Sequence, residues 1–311
     1  MTKNVLLIVC MLGAFAPIGL TQVAGQPMSS GVRRADSGVY GALTILGAKD
    51  SVNGYSSLWT PAIGYDLPKH FSLEAGIPYY ALASSAVQKV TASRSGVGTE
   101  TVETSSANLL GDMYLLATGH FEPSQAFRYQ INAKGTAPTG DTTNGISTGR
   151  ATWNVSNHIE AGSARVIPYL EAGIGNSTAD TAKYYRSYTT LGYIAPFAAG
   201  LNIDLGHHIS FDASTYYDLP FGDQKLYSRE VPSGTVIGAS GRRNRPILDQ
   251  YMSQGGAGLT EDHGFNGSLA FSPTERVTFT ASYNRSIPDA LDSVAISLSL
   301  RFGHASGAAA K

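Results

Sequence analysis

From Gly38 onward, apolar and polar residues alternate with a period of two, the spacing of a strand whose faces meet different surroundings. The last run is the plainest. Val294, Ile296, Leu298, Leu300 and Phe302 fall on one face; Ala295, Ser297, Ser299 and Arg301 fall on the other. Val277, Phe279, Ala281 and Tyr283 alternate with Thr278, Thr280, Ser282 and Asn284, and residues 127–137 repeat the pattern. The alternation predicts about twelve strands, over 38–48, 56–67, 70–82, 106–119, 125–138, 149–161, 164–175, 191–205, 208–219, 263–272, 276–286 and 293–302.

The connections sort by length. Short links at 68–70, 122–125, 161–164, 206–208 and 273–275 alternate with longer ones at 49–55, 83–105, 139–148, 176–190, 220–262 and 287–292. Short turns at one rim and longer loops at the other are the asymmetry of an outer-membrane barrel with periplasmic termini. A β-sandwich has no reason to sort its loops this way. The expected fold is therefore all-β: a single closed antiparallel transmembrane β-barrel over 38–302, of about 12 strands, with short periplasmic turns and long extracellular loops. Closure suits polar strands in lipid, where every backbone N–H and C=O needs a partner and a closed sheet has no edge. Pro61, Pro78, Pro168 and Pro196 each lack a ladder donor, and mid-strand Pro61 fits this assignment worst.

With the apolar face turned to lipid, the aromatics gather in two bands. Trp59, Tyr79, Trp153, Tyr193, Tyr217 and Tyr283 fall near the loop end of their strands. Tyr65, Phe71, Phe121, Phe127, Phe211, Phe271, Phe279 and Phe302 fall near the turn end. Aromatic girdles form at both interfaces because a ring stays apolar while its polar edge meets headgroups.

Composition narrows the class further. Only 14% of residues are charged, and 22 basic against 23 acidic side chains give no basic excess for nucleic acid. Lys3, the apolar run 5–15 and the small residues up to Gly25 have the layout of a cleaved signal peptide over 1–25. That leaves 26–37 as a periplasmic segment and 303–311 as a flexible C-terminal tail. Cys10, the sole cysteine, would depart with the signal, so no disulfide is expected. No later run reaches the roughly 18 apolar residues of a spanning helix. The expected location is the outer membrane of a Gram-negative bacterium, with the lipid bilayer and the barrel assembly machinery as partners.

Catalytic motifs are present only in outline. Gly135 and Gly140 have P-loop spacing, but Asp141 stands where lysine should meet phosphate and no helix follows. Gly145, Ser147 and Gly149 match a nucleophile elbow, yet the chain after them alternates as a strand. His208 and Ser210 have the spacing of barrel phospholipases but no placed third partner, and His208 reads as a turn histidine. His70, His120, His158, His207, His263 and His304 form no ligand-spaced cluster, so neither metal nor cofactor is expected.

The inward face is the better seat of function. It carries Glu74, Asp112, Glu160, Glu171, Asp204 and Asp212 against Arg128, Lys134, Arg165 and Arg301, with Asn132 among them. These residues either pair with one another to fill a polar interior or line a conduit and tune its selectivity. The segment 220–262, with Lys225, Arg229, Arg242, Arg243 and Arg245, either folds inward as a constriction or lies solvated outside.

Gly111-Asp112, the strand end Pro138-Thr139-Gly140-Asp141 and the return through Trp153 resemble the outer-membrane barrel family named for the meta-pathway of phenol degradation. The likeness is clear over about 106–175, although 147–153 keeps only part of the family's return element. It implies an outer-membrane barrel and a channel for small or aromatic compounds. The expected function is thus a porin-like channel for passive uptake of small solutes, aromatic or hydrophobic compounds among them. A non-conducting structural or surface-interaction barrel is the alternative, and a barrel hydrolase a more distant one. Around twelve strands leave a narrow lumen, between the side-chain-filled eight and the water-filled sixteen.

Overall fold

The computed structural model describes residues 37–303 except 52–53, 69, 94–95, 125, 143–145, 163–164, 178–188, 228–231, 237–244, 249–251 and 289, and gives backbone alone for 85–106, 189 and 227–253. The expected signal peptide, nearly all of 26–37, the tail after Gly303, and Arg229, Arg242 and Arg243 lie outside the described residues.

The sheet closes on itself. β1 (Gly38–Asp50) pairs with β2 (Gly54–Asp66) on one side and with the last strand, β18 (Leu291–Gly303), on the other. Round the wall from β2 come β3 (Phe71–Gly76) with its continuation β4 (Tyr79–Ser93), then β7 (Met113–Ser124), β8 (Phe127–Ala137) and β9 (Thr152–Ala161). β10 (Val166–Gly175), β11 (Thr189–Gly206), β12 (Ile209–Tyr227), β16 (Asp262–Thr274) and β17 (Val277–Ser286) complete a closed antiparallel ring of 12 strands. Smaller strands stand off this ring. β5 (Gly96–Ser106) and β6 (Leu109–Leu110) pair with β4, β13 (Pro232–Val236) pairs with β14 (Arg245–Leu248), and β15 (Met252–Gly255) runs back along β12. All twelve expected strands have their counterparts here.

The wall is inverted relative to a soluble protein. Ile296 is 66% exposed on the outer face, while inward Ala295 and Ser297 beside it are each 2% exposed. Such an apolar exterior needs an apolar medium around it.

Several expected loops are strand instead. β1 and β2 pair up to Asp50 opposite Gly54, so 49–55 shrinks to a three-residue connection. The expected loop 287–292 shrinks similarly, because β17 and β18 pair as far as Ser286 and Leu291. Most of 83–105 is the β4–β5 hairpin, and β12 and β15 extend the sheet into 220–262. The reason is physical. Alternation reports two different environments, and beyond the apolar belt both faces meet water, so pairing continues after alternation stops.

Pro61 finds its place at a break in the neighbouring strand. Its carbonyl accepts the Ile77 N–H at 3.2 Å. In an extended strand the N–H and C=O of one residue point to the same side. The missing donor of Pro61 therefore faces Ile77 and Pro78, where β3 gives way to β4. At the turn end, His207 and His208 have φ of 52° and 65°, the left-handed pair of a tight two-residue hairpin turn.

Candidate functional site

The inner wall is organised by tyrosines lying against glycines. Tyr40 is directly opposite Gly64, Tyr114 opposite Gly76, Tyr169 opposite Gly200 and Tyr216 opposite Gly264. A β-carbon at Gly64, Gly76 or Gly200 would stand only 2.2, 2.6 or 2.5 Å from the facing ring. Glycine thus lets each ring lie along the wall instead of jutting into the lumen. Each hydroxyl then reaches a carboxylate. Tyr40 and Tyr114 donate to the two oxygens of Glu74 at 3.0 and 2.9 Å, Tyr169 donates to Asp212 at 3.3 Å, and Tyr216 to Asp262 at 3.2 Å.

Charged side chains link these units into a belt toward the turn end. Arg301 lies over the Tyr40 ring, 3.8 Å from its centroid, and pairs with Asp66. Lys134 lies 4.8 Å over the Tyr114 ring. Arg128 meets one oxygen of Glu160 at 3.0 Å, and the other oxygen lies 3.2 Å from His158 Nε2. His158 Nδ1 in turn lies 3.4 Å from Glu171, with the imidazole tilted against Tyr169 at 4.9 Å. Buried charges and hydroxyls of this kind are tolerable because each finds a partner. Glu74→Ala strips the shared acceptor from two tyrosines, so a loss of about 2 kcal/mol is expected. The denaturant midpoint of protein refolded in vesicles measures it, and an unchanged midpoint would mean that water replaces the carboxylate.

The loop end of the lumen has a different character. The described residues of the 138–151 connection between β8 and β9 fold into the mouth. Its near half is tied to the start of β7: Gly140 N–H donates to Asp112 Oδ1 at 2.9 Å, and Asp141 N–H to the Leu110 carbonyl at 2.9 Å. Thr139 Oγ1 accepts the Met113 N–H at 2.8 Å. The Asp141 carbonyl accepts from Ile146 and Ser147 at 3.1 and 3.0 Å, turning the chain inward. Ile146 is then buried among Leu46 and Ala48 of β1, Tyr80 and Ala83 of β4, and Ala295 of β18. Further round the wall, Asp218 of β12 and Asp262 of β16 are cross-strand partners on the inner face, with Ser286 donating to Asp262 at 2.6 Å. The mouth is therefore apolar around Ile146 and acidic along β12 and β16, with Asp50 of β1 a further inward acid.

This inward course corrects the expectation of an external loop at 139–148. Ile146 is the one large apolar side chain among the small and polar residues of that segment, and it takes the apolar seat that the wall offers. Ser147, the serine of the elbow-like motif, accepts the Gly149 N–H at 3.0 Å and closes a local turn.

Glu74, Arg128, Asn132, Lys134, Glu160, Glu171, Asp212 and Arg301 all face the interior. Three other residues picked from the sequence do not join them. Asp112 anchors the 138–141 turn, Asp204 turns back to accept the Gly206 N–H at 2.8 Å, and Arg165 is exposed at the turn end. The aromatics assigned to the two bands lie on the outer face, with ring contacts such as Phe271–Phe279 at 6.4 Å and Phe71–Phe121 at 5.8 Å. At the loop end, the Tyr217 and Tyr283 hydroxyls reach Glu261 and Asp292, each at 2.5 Å. His208 occupies the tight turn. Sequence reasoning missed Tyr40, Asp66, His158, Tyr169, Tyr216, Asp218 and Asp262. Strand parity could have found six of them, since His158, Tyr169, Tyr216 and Asp218 share a face with a chosen inward residue of their own strand, and Asp66 and Asp262 lie on the face opposite the chosen aromatics of theirs.

No protein-family model matches the sequence, and no curated protein matches it. Among solved structures, the fold is similar to an outer-membrane channel from Pseudomonas putida F1, at 10% identity and a TM-score of 0.52, covering 93% of this chain and 97% of that one. OmpF of Salmonella typhi matches more loosely, at 6% identity and a TM-score of 0.37, over 86% of this chain and 97% of that one. LpxR from Salmonella typhimurium gives 10% identity and a TM-score of 0.37, over 85% and 100%. At these identities the first likeness is one of fold.

Proposed function

We propose that the chain is a narrow outer-membrane channel for passive passage of small solutes, aromatic or hydrophobic compounds among them. The observation that carries this reading is the inverted wall: a belt of exposed apolar residues outside and a continuous polar, charged lining inside. Such a lining is what a water-filled conduit requires of its wall. The short links then lie in the periplasm and the 138–151 segment at the external mouth. Export by the 1–25 signal and insertion by the barrel assembly machinery belong to the same reading. So does membership of the family that the Gly111-Asp112 and 138–141 motifs resemble. Purified full-length protein in planar bilayers is expected to give discrete conductance steps, and barrels that insert yet stay silent would overturn the channel.

A second reading, a non-conducting barrel, draws support from how full the lumen is. Ser156 and Ala198 are wholly buried, and Ile146 closes on the opposite wall. The same recordings separate the two readings.

A further inference from the structure

The lining names a class of solute, and this step rests on the channel reading above. Toward the loop end the inward acids are Asp50, Asp218 and Asp262, against Lys134 as the one inward Lys or Arg among the described residues there. Toward the turn end lie Asp66, Glu74, Glu160, Glu171 and Asp212 against Arg128 and Arg301. Acids outnumber Lys and Arg in both tiers, whatever pairs with what. The wall between β10 and β17 has four of these acids and no Lys or Arg among its described inward residues.

One arrangement of side chains points the same way. The chain's own cations already sit on the faces of inward tyrosines, Arg301 on Tyr40 and Lys134 on Tyr114. A flat tyrosine beside a carboxylate is a cation seat, and Tyr216 with Asp262 repeats that arrangement on the acidic wall, while on Tyr169 beside Asp212 the His158 imidazole already lies against the ring. The mouth adds one more constraint, because Leu46, Tyr80 and Ile146 put an apolar surface at the same end of the lumen as Asp218 and Asp262.

We propose that the lumen passes small organic cations, amines with one apolar side, in preference to anions of the same size. The ammonium follows the acidic, tyrosine-bearing wall while the apolar part slides along the apolar surface at the mouth. Anions meet unfavourable potential in both tiers.

Two measurements on the full chain test this. Reversal potentials across a KCl gradient in planar bilayers should show K⁺ preferred over Cl⁻, and raising salt from ~0.1 to ~1 M should erode that preference as the Debye length falls from about 10 to about 3 Å. Swelling of protein-loaded liposomes should be faster in phenethylammonium than in phenylacetate, by about 5-fold or more, the scale of a single charge pair about 4 Å apart in water. Asp218→Asn combined with Asp262→Asn should narrow both differences in a barrel that still migrates as the folded form on an unboiled denaturing gel. A conducting channel that prefers Cl⁻, admits phenylacetate as fast as the amine, or is indifferent to the double variant overturns the inference alone. A barrel silent in both assays overturns the channel reading, and this inference with it.

Discussion

Gly264→Ala is expected to abolish assembly of the barrel. A β-carbon at this position would lie 1.7 Å from the Arg285 carbonyl oxygen and 3.1 Å from the Tyr216 hydroxyl. The first atom is backbone, so no side-chain rotation relieves the overlap, and β16 and β17 must part. Their separation removes ladder bonds near the loop end and pulls Tyr216 from Asp262 and Asn284, which it reaches at 3.2 and 3.4 Å. Several such contacts at about 1 kcal/mol each amount to a loss of about 3 kcal/mol or more, in the range of the severest single substitutions. Gly267→Ala, on the same strand, would place its β-carbon 4.0 Å from the Asp212 carbonyl, an ordinary contact, and serves as the matched control. On an unboiled denaturing gel the control should keep the fast-migrating folded form and Gly264→Ala should lose it. A Gly264→Ala protein with wild-type migration and the same denaturant midpoint would show that the strands tolerate the extra carbon.

That prediction needed the structure, and the reason shows where sequence reading stops. Alternation could be read because it records a local fact, two environments on two faces of one strand. It located the strands, the outer aromatics and most of the inward charges. Residue type alone says less than parity does. Tyr169 and Tyr216 look like girdle aromatics by chemistry, yet they share a face with Glu171 and Asp212 and point inward. Pairing is the harder part. Arg301 meets Asp66, 235 residues away, because β18 and β2 flank β1, and no pattern within either strand says so. The motif Gly111-Asp112 and the turn at 138–141 stood out as a resemblance in the sequence. Their joint role emerges only when the Asp112 carboxylate is seen holding the Gly140 N–H, 28 residues on.

Ile146→Asp should open the mouth. The wild-type side chain is buried against Leu46, Ala48, Tyr80, Ala83 and Ala295, with Leu58 and Leu109 beside them, and none of these side chains except the Tyr80 hydroxyl could partner a carboxylate. Placing an ion there costs several kcal/mol, whereas leaving the seat forfeits the burial of one isoleucine, about 2 kcal/mol or slightly more. The cheaper response is for 146–149 to swing out while the near half stays tied through Gly140 to Asp112. The barrel wall is untouched, since its strands pair without this segment, so folding should survive. Conductance should rise several-fold and the dwell in low-conducting states should shorten. Ile146→Val keeps the apolar contact and should behave like wild type, which separates loss of the seat from mere substitution. Unchanged conductance in a folded Ile146→Asp barrel would place the resistance elsewhere, in the belt of Arg128, Glu160, His158 and Glu171. Glu171→Gln would then be the variant expected to change conductance, because it alters the charge of that belt while preserving the size of the side chain.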